Sequence, residues 1–131
     1  MSERGQQSAE HTPRIFEPCI VEAAGNKPKQ IREYIGQVAS GDSTVSIASM
    51  QSPSGWVEPA QVPEFDEFTV VLRGELHVTA LGRTQVVRAG QAMRVLKGTT
   101  VQYATPGCDG AEYVAVCLPA FTPGLVHRIA T

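Results

Sequence analysis

The thiols and imidazoles of this 131-residue chain stand too far apart to form a familiar reactive group. Cys19, Cys108 and Cys117 are odd in number and include no Cys-x-x-Cys pair, which argues against a disulfide framework and against a zinc knuckle. Cys117 lies in the apolar run Tyr113-Val114-Ala115-Val116-Cys117-Leu118 with no histidine near it in sequence, so it reads as a buried, inert thiol rather than a nucleophile. His11 falls in a polar N-terminal stretch, His77 alternates out of phase with Leu76 and Val78, and His127 belongs to the C-terminal tail. All three read as surface residues. What the oxygen-bearing side chains can do depends on the elements that position them.

Those elements are strands. Twelve glycines and nine prolines, evenly scattered, punctuate short segments with period-two alternation. Residues 1–13 are expected to form a disordered leader, and 14–131 a single domain. Arg14–Val21 suits a first strand, while Lys29–Ile35 fits either a strand or a helical turn. Thr44–Met50 alternates apolar with small polar residues. Phe65–Leu72 puts Phe68, Val70 and Leu72 on one face and Glu67, Thr69 and Val71 on the other, so both faces should be covered. Gly74 is expected to end that strand. Further strands run over Leu76–Thr79, Gln85–Arg88, Met93–Val95 and Glu112–Leu118, and Val101, Tyr103 and Thr105 share one face of another. Seven or eight short strands with no convincing helix make an all-β barrel or sandwich. The formal net charge of -2 supplies no basic field for nucleic acid. No apolar run is long enough to span a bilayer and the N-terminus lacks secretory character, so no membrane partner and a cytoplasmic location are expected.

The spacing of particular residues resembles the cupin family. Its first motif runs Gly, five residues, His, one, His, three or four, Glu, six, Gly; here Gly55, Gln61, Pro63, Glu67 and Gly74 stand at those positions. Its second runs Gly, five, Pro, one, Gly, two, His, three, Asn; here Gly90, Leu96, Gly98, Val101 and Thr105 stand there. The fifteen residues between, Glu75 to Ala89, match the short spacer of small microbial cupins. Gly55-Trp56-Val57-Glu58-Pro59, Phe65-Asp66-Glu67 and Cys117-Leu118-Pro119-Ala120-Phe121 look most like small stand-alone cupins and, more distantly, the EutQ-type ethanolamine-utilisation cupins. The resemblance spans about residues 47–118 and implies a double-stranded β-helix (jelly-roll) barrel. All three metal-binding histidines are replaced, by Gln61, Pro63 and Val101, which leaves Glu67 as the one standard ligand of a degenerate metal site.

On the cupin pattern, Gln61, Glu67, Thr69, Val101, Tyr103 and Thr105 face a shared cavity, with Trp56 either a wall or a plug at its mouth. Glu58 and Gln61 are an odd number apart, so both can point inward only if Pro59 bends the chain. Three readings of the carboxylates follow. Glu67 with Glu58 or Glu64 and Gln61 makes an oxygen-rich site for Mg²⁺, Ca²⁺ or Mn²⁺. Alternatively, Glu67 is metal-free, buried and raised in pKa, a general acid or base beside Tyr103. In the third reading it is hydrogen-bonded in the barrel and only holds a polar ligand. The expected function is therefore small-molecule binding. The alternatives are a metal-dependent lyase, isomerase or dioxygenase using Glu67, and a structural role related to ethanolamine utilisation. The apolar face of Phe68, Val70 and Leu72 predicts a homodimer joined sheet to sheet.

Overall fold

The computed structural model describes residues 11–129, a fold almost wholly of antiparallel strands. The expected leader falls outside the described residues over positions 1–10. Nine strands follow in order: β1 (Cys19–Val21), β2 (Gln30–Ile35), β3 (Ser46–Ser52), β4 (Trp56–Val57), β5 (Asp66–Ala80), β6 (Arg83–Arg88), β7 (Ala92–Val95), β8 (Val101–Thr105) and β9 (Ala111–Leu118). A single 3-10 turn, Pro123–Leu125, comes after them. The ambiguous Lys29–Ile35 segment is a strand because Ile31, Arg32 and Glu33 pair with both β1 and β3.

One sheet runs β1-β2-β3-β9-β5 with β7 on the far side of β5; the other runs β4-β8-β5-β6. β5 belongs to both. Its first half pairs with β7 and β9, and its second half with β6 and β8. Gly74 therefore does not end the strand, as its sequence position suggested, but lets it continue. Its φ is +76°, and a Cβ there would stand 2.1 Å from the carbonyl oxygen of Gly110, so only glycine lets the two backbones pass this closely. A bulge between Val71 and Arg73 shifts the inward parity, from Glu67, Thr69 and Val71 to Leu76 and Val78.

Both sheets turn apolar residues into one core that includes Val71, Leu76 and Val78 of β5, Val87 of β6, Val101 and Tyr103 of β8, and Tyr113 of β9. This is the barrel that the cupin resemblance implies. On β3 the small residues Ser46 and Ala48 point inward and Ile47 outward, so that wall leaves space inside. Outside, Ile47 and Phe68 each lie opposite Val116, and Val70 opposite Val114, forming one apolar face; Val70 and Leu72 are 45% and 55% exposed. Beyond β9 the chain folds back along the barrel. The amides of Val62 and Glu64 donate to the carbonyls of His127 and Leu125, and that of Ile129 donates to Ala60. Phe65, Cys117 and Val126 form a second small core beneath this strap.

Candidate functional site

A cavity of about 70 Å³ lies between β2, β3, the first half of β5, β8 and β9. Glu58, Gln61, Glu67, Thr69 and Tyr103 form its polar side; Ile31, Ala48, Met50, Phe65 and Ala115 form its apolar side. Space of this size holds a few waters or a small organic molecule. A wider recess beside it shares Val21, Glu22, Phe121 and Arg128 and makes a vestibule.

Glu67 reaches the cavity through the parity of β5 and accepts a hydrogen bond of 3.1 Å from the Tyr103 hydroxyl. Burial raises its pKa, while the charge of Lys29 and the Tyr103 hydrogen bond pull it down. The Tyr103 phenol is pushed well above its ordinary value by burial and by the charge of Glu67, so it remains a donor. Glu58 follows β4 and is 8% exposed. Its backbone N–H donates a hydrogen bond to the Tyr103 carbonyl, and its carbonyl accepts one from the Gln102 side-chain amide. Burial lifts the Glu58 carboxyl from 4.5 to about 7; Lys29 and Arg128 oppose the rise and Glu67 adds to it. Gln61 exchanges both backbone bonds with Val101. The chain thus leaves β4 at Val57, bends through Pro59 and re-pairs at Gln61, which brings Glu58 and Gln61 to the same cavity despite their odd spacing.

Four residues expected at the site lie elsewhere. Val101 faces inward with Tyr103 but sits in the packed core with Leu76 and Val78, 1% exposed, and does not border the cavity. Thr105 is fully buried, and its hydroxyl donates to Pro53 O at 2.8 Å. Trp56 is fully buried as well. Its indole N–H donates to Ala24 O, and it packs behind the cavity lining rather than in it. Glu64 faces solvent and pairs with His127. His77 is half-buried, not fully at the surface, and lies 3.5 Å from Glu75; burial raises the Cys117 thiol far out of the reactive range, as its apolar run suggests.

The structure adds a cation that sequence reasoning missed. Lys29, at the entry to β2, borders the cavity with its ammonium 4.0 Å from the centre of the Trp56 ring and 5.4 Å from that of Tyr113. Gly25 makes room for this arrangement, since a Cβ there would stand 2.3 Å from the indole nitrogen. Tyr113 is held in turn by Ser52, 2.9 Å from its hydroxyl. Glu33 also borders the cavity, but its carboxylate accepts the amides of Val38 and Ala39 and so closes the loop after β2.

The donor set does not fit the divalent metal of most cupins. Among the described residues no group of three His, Cys, Asp or Glu is close enough to hold an ion. Of the carboxyls on the polar side, Glu67 is engaged by Tyr103, and the Lys29 ammonium shares the same space. What the arrangement offers is a fixed donor–acceptor pair, Tyr103 and Glu67, and a second carboxyl, Glu58, able to gain or lose a proton near neutrality.

A family model described as ethanolamine utilisation protein EutQ matches residues 60–121, a span with Gln61, Glu67 and Tyr103 but without Lys29 and Glu58. The chain is 42% identical over 99 residues to the endoribonuclease YbeY of Myxococcus xanthus, and 41% identical over 51 residues to the acetate kinase EutQ of Salmonella typhimurium. These matches cover 76% and 39% of this chain but only 34% and 22% of the relatives, so it corresponds to a part of each. Among solved structures, an RmlC-like cupin from Shewanella frigidimarina superposes with a TM-score of 0.65 at 16% identity, over 91% of this chain and 94% of that one, a likeness of fold. No helix among the described residues is long and apolar enough to cross a membrane.

Proposed function

We propose that this chain, which folds as a cupin barrel, binds a small, partly polar molecule in the barrel cavity, at a degenerate site that works without the usual metal. One observation carries this reading: two carboxyls, the buried Glu58 and the half-buried Glu67, border open space at the polar end of the cavity. Burying a carboxyl is costly, and a packed aliphatic side chain would serve a purely structural barrel better. Gln61, Thr69 and Tyr103 complete the polar wall and orient the ligand. If the bound molecule is also transformed, the reaction class is proton transfer, with Glu58 exchanging the proton and the Tyr103–Glu67 pair positioning the reacting oxygen.

The longer relatives bear the names endoribonuclease and acetate kinase, and the matched part of each would be a ligand-binding module carried beside other segments. We further propose that residues 14–131 form one domain that pairs with a second copy through the outer face of Phe68, Val70 and Leu72, which light scattering would detect as twice the chain mass. A cytoplasmic location, proposed on the same footing, would keep its three free cysteines reduced.

The test is a fragment screen by saturation-transfer NMR, run beside elemental analysis after reconstitution trials. Hits that weaken in Glu67→Gln, on protein with far less than one metal per chain, are the expected result. Stoichiometric metal lost in Glu67→Gln would overturn the metal-free reading. A screen with no hits would overturn small-molecule binding itself.

A further inference from the structure

We infer that Lys29 is a ligand-binding residue, taking the carboxylate of a small hydroxy acid whose hydroxyl meets Glu58 and Glu67. This rests on the small-molecule reading above and names the class of ligand. The ammonium lies against the faces of Trp56 and Tyr113, and no carboxylate comes within 4 Å of it among the described residues. Aromatic faces stabilise the charge but leave N–H donors over, apart from any hydrogen bond to the Tyr113 hydroxyl. The carboxyls Glu58 and Glu67 border the same cavity, close enough to feel the lysine charge yet not paired with it. A ligand between them must therefore present an acceptor to one side and a hydrogen-bonding hydroxyl to the other.

Charge selects an anion. Glu33 is engaged by the amides of Val38 and Ala39 and Glu67 by the Tyr103 hydroxyl, and burial raises the pKa of Glu58 and Glu67, so among the described residues Lys29 borders the cavity with no carboxylate paired to it. Arg128, exposed at the vestibule, adds a second positive charge on the route in. A protonated carboxyl and a hydroxyl can exchange hydrogen bonds in either direction, so an alcohol suits Glu58 and Glu67 whichever of them holds the proton. The apolar wall of Ile31, Met50 and Phe65 then faces a short alkyl group, and a cavity of about 70 Å³ restricts the ligand to a few carbons.

Trp56, the only tryptophan of the chain, stacks on Lys29, so its fluorescence should respond when the ammonium turns to a ligand. The probe is 2-hydroxybutyrate, compared with 2-hydroxybutyramide, butyrate and 2-aminobutyrate. We expect saturable binding of 2-hydroxybutyrate, weaker binding of butyrate and little of the amide. Lys29→Met should weaken the hydroxy acid by roughly tenfold or more, the scale of a lost charge-assisted hydrogen bond, and Lys29→Arg should restore most of it. Urea midpoints confirm that the variants fold, and the acid-against-amide comparison needs no variant. Equal binding by Lys29→Met, a preference for the amide or the amino acid, or no response to 2-hydroxybutyrate overturns this inference. Where the fragment screen still gives hits dependent on Glu67, the small-molecule reading survives that failure; where it gives none, both fall.

Discussion

The two halves of β5 meet two different interiors. Beyond the bulge, Leu76 and Val78 enter a closed apolar core, with Leu76 fully buried. Before it, Glu67 and Thr69 border a cavity that Glu58, Gln61 and Lys29 also line. Strand pairing, length and neighbours differ little between the halves, since both lie between two antiparallel partners. The side chains opposite make the difference. β3 and β9 offer Ser46, Ala48 and Ala115 to the cavity, whereas β6 and β8 offer Val87 and Val101 to the core. Close apolar packing is concentrated at one end of the barrel and polar groups beside open space at the other, and a single strand carries both.

Substitutions should separate the two ends, the largest effect falling at the core. Leu76→Ala should cost about 2–5 kcal/mol in urea unfolding, the range for a truncated buried leucine, whereas Thr69→Ala beside existing space should cost clearly less. Similar losses at both positions would erase the distinction.

Next in size is the pH dependence that the cavity end imposes. The folded pKa of Glu58, about 7, lies above its unfolded value of 4.5. Below the unfolded value both states hold the proton and nothing is lost. As pH rises through the folded value, the unfolded chain is favoured by a total of about 3 kcal/mol. Glu58→Gln should remove that part of the slope, so the urea midpoint of the variant relative to wild type should rise between about pH 5 and about pH 8. A parallel shift at every pH would mean that Glu58 is hydrated in the folded protein.

The smallest effect belongs to Tyr103→Phe. It removes the hydroxyl on Glu67 and keeps the ring in the core, so it should cost about 1 kcal/mol, readable as a small fall in urea midpoint at neutral pH. A loss as large as that of Leu76→Ala would place Tyr103 with the core rather than the cavity.

Much of this division is legible in the sequence and part of it is not. The alternation of Phe65–Leu72 puts Glu67 and Thr69 on the inner face, and the cupin spacing brings Gln61 to the same place. Period two does not reveal how far along the barrel an inward residue sits. That is why Val101 and Thr105, on the correct face of β8, end in packed or hydrogen-bonded positions away from the cavity. Gly74 reads as a strand terminator because glycine punctuates most turns here. Its actual role, a close crossing under Gly110, depends on a partner 36 residues away in the chain. Lys29 lies beside a turn with no pattern around it, and only the return of β2 along β3 brings it over the aromatic rings. Glu64 shows the converse. It is close to Glu67 in sequence, but the strap from Leu125 to His127 holds it at the surface.

The sharing of β5 also bears on how the chain can be divided. Every strand after it, β6 through β9, pairs with it, and β9 alone joins it to β3. A cut in the exposed turn at Leu81–Gly82 would give one piece with β5 unsheltered on both edges and another whose four strands have lost their common partner. Neither piece could close a barrel alone, and together they would have every ladder needed to do so. Since the cavity takes residues from both pieces, Glu67 from one and Tyr103 from the other, reassembly of the halves would itself report that the cavity has been remade.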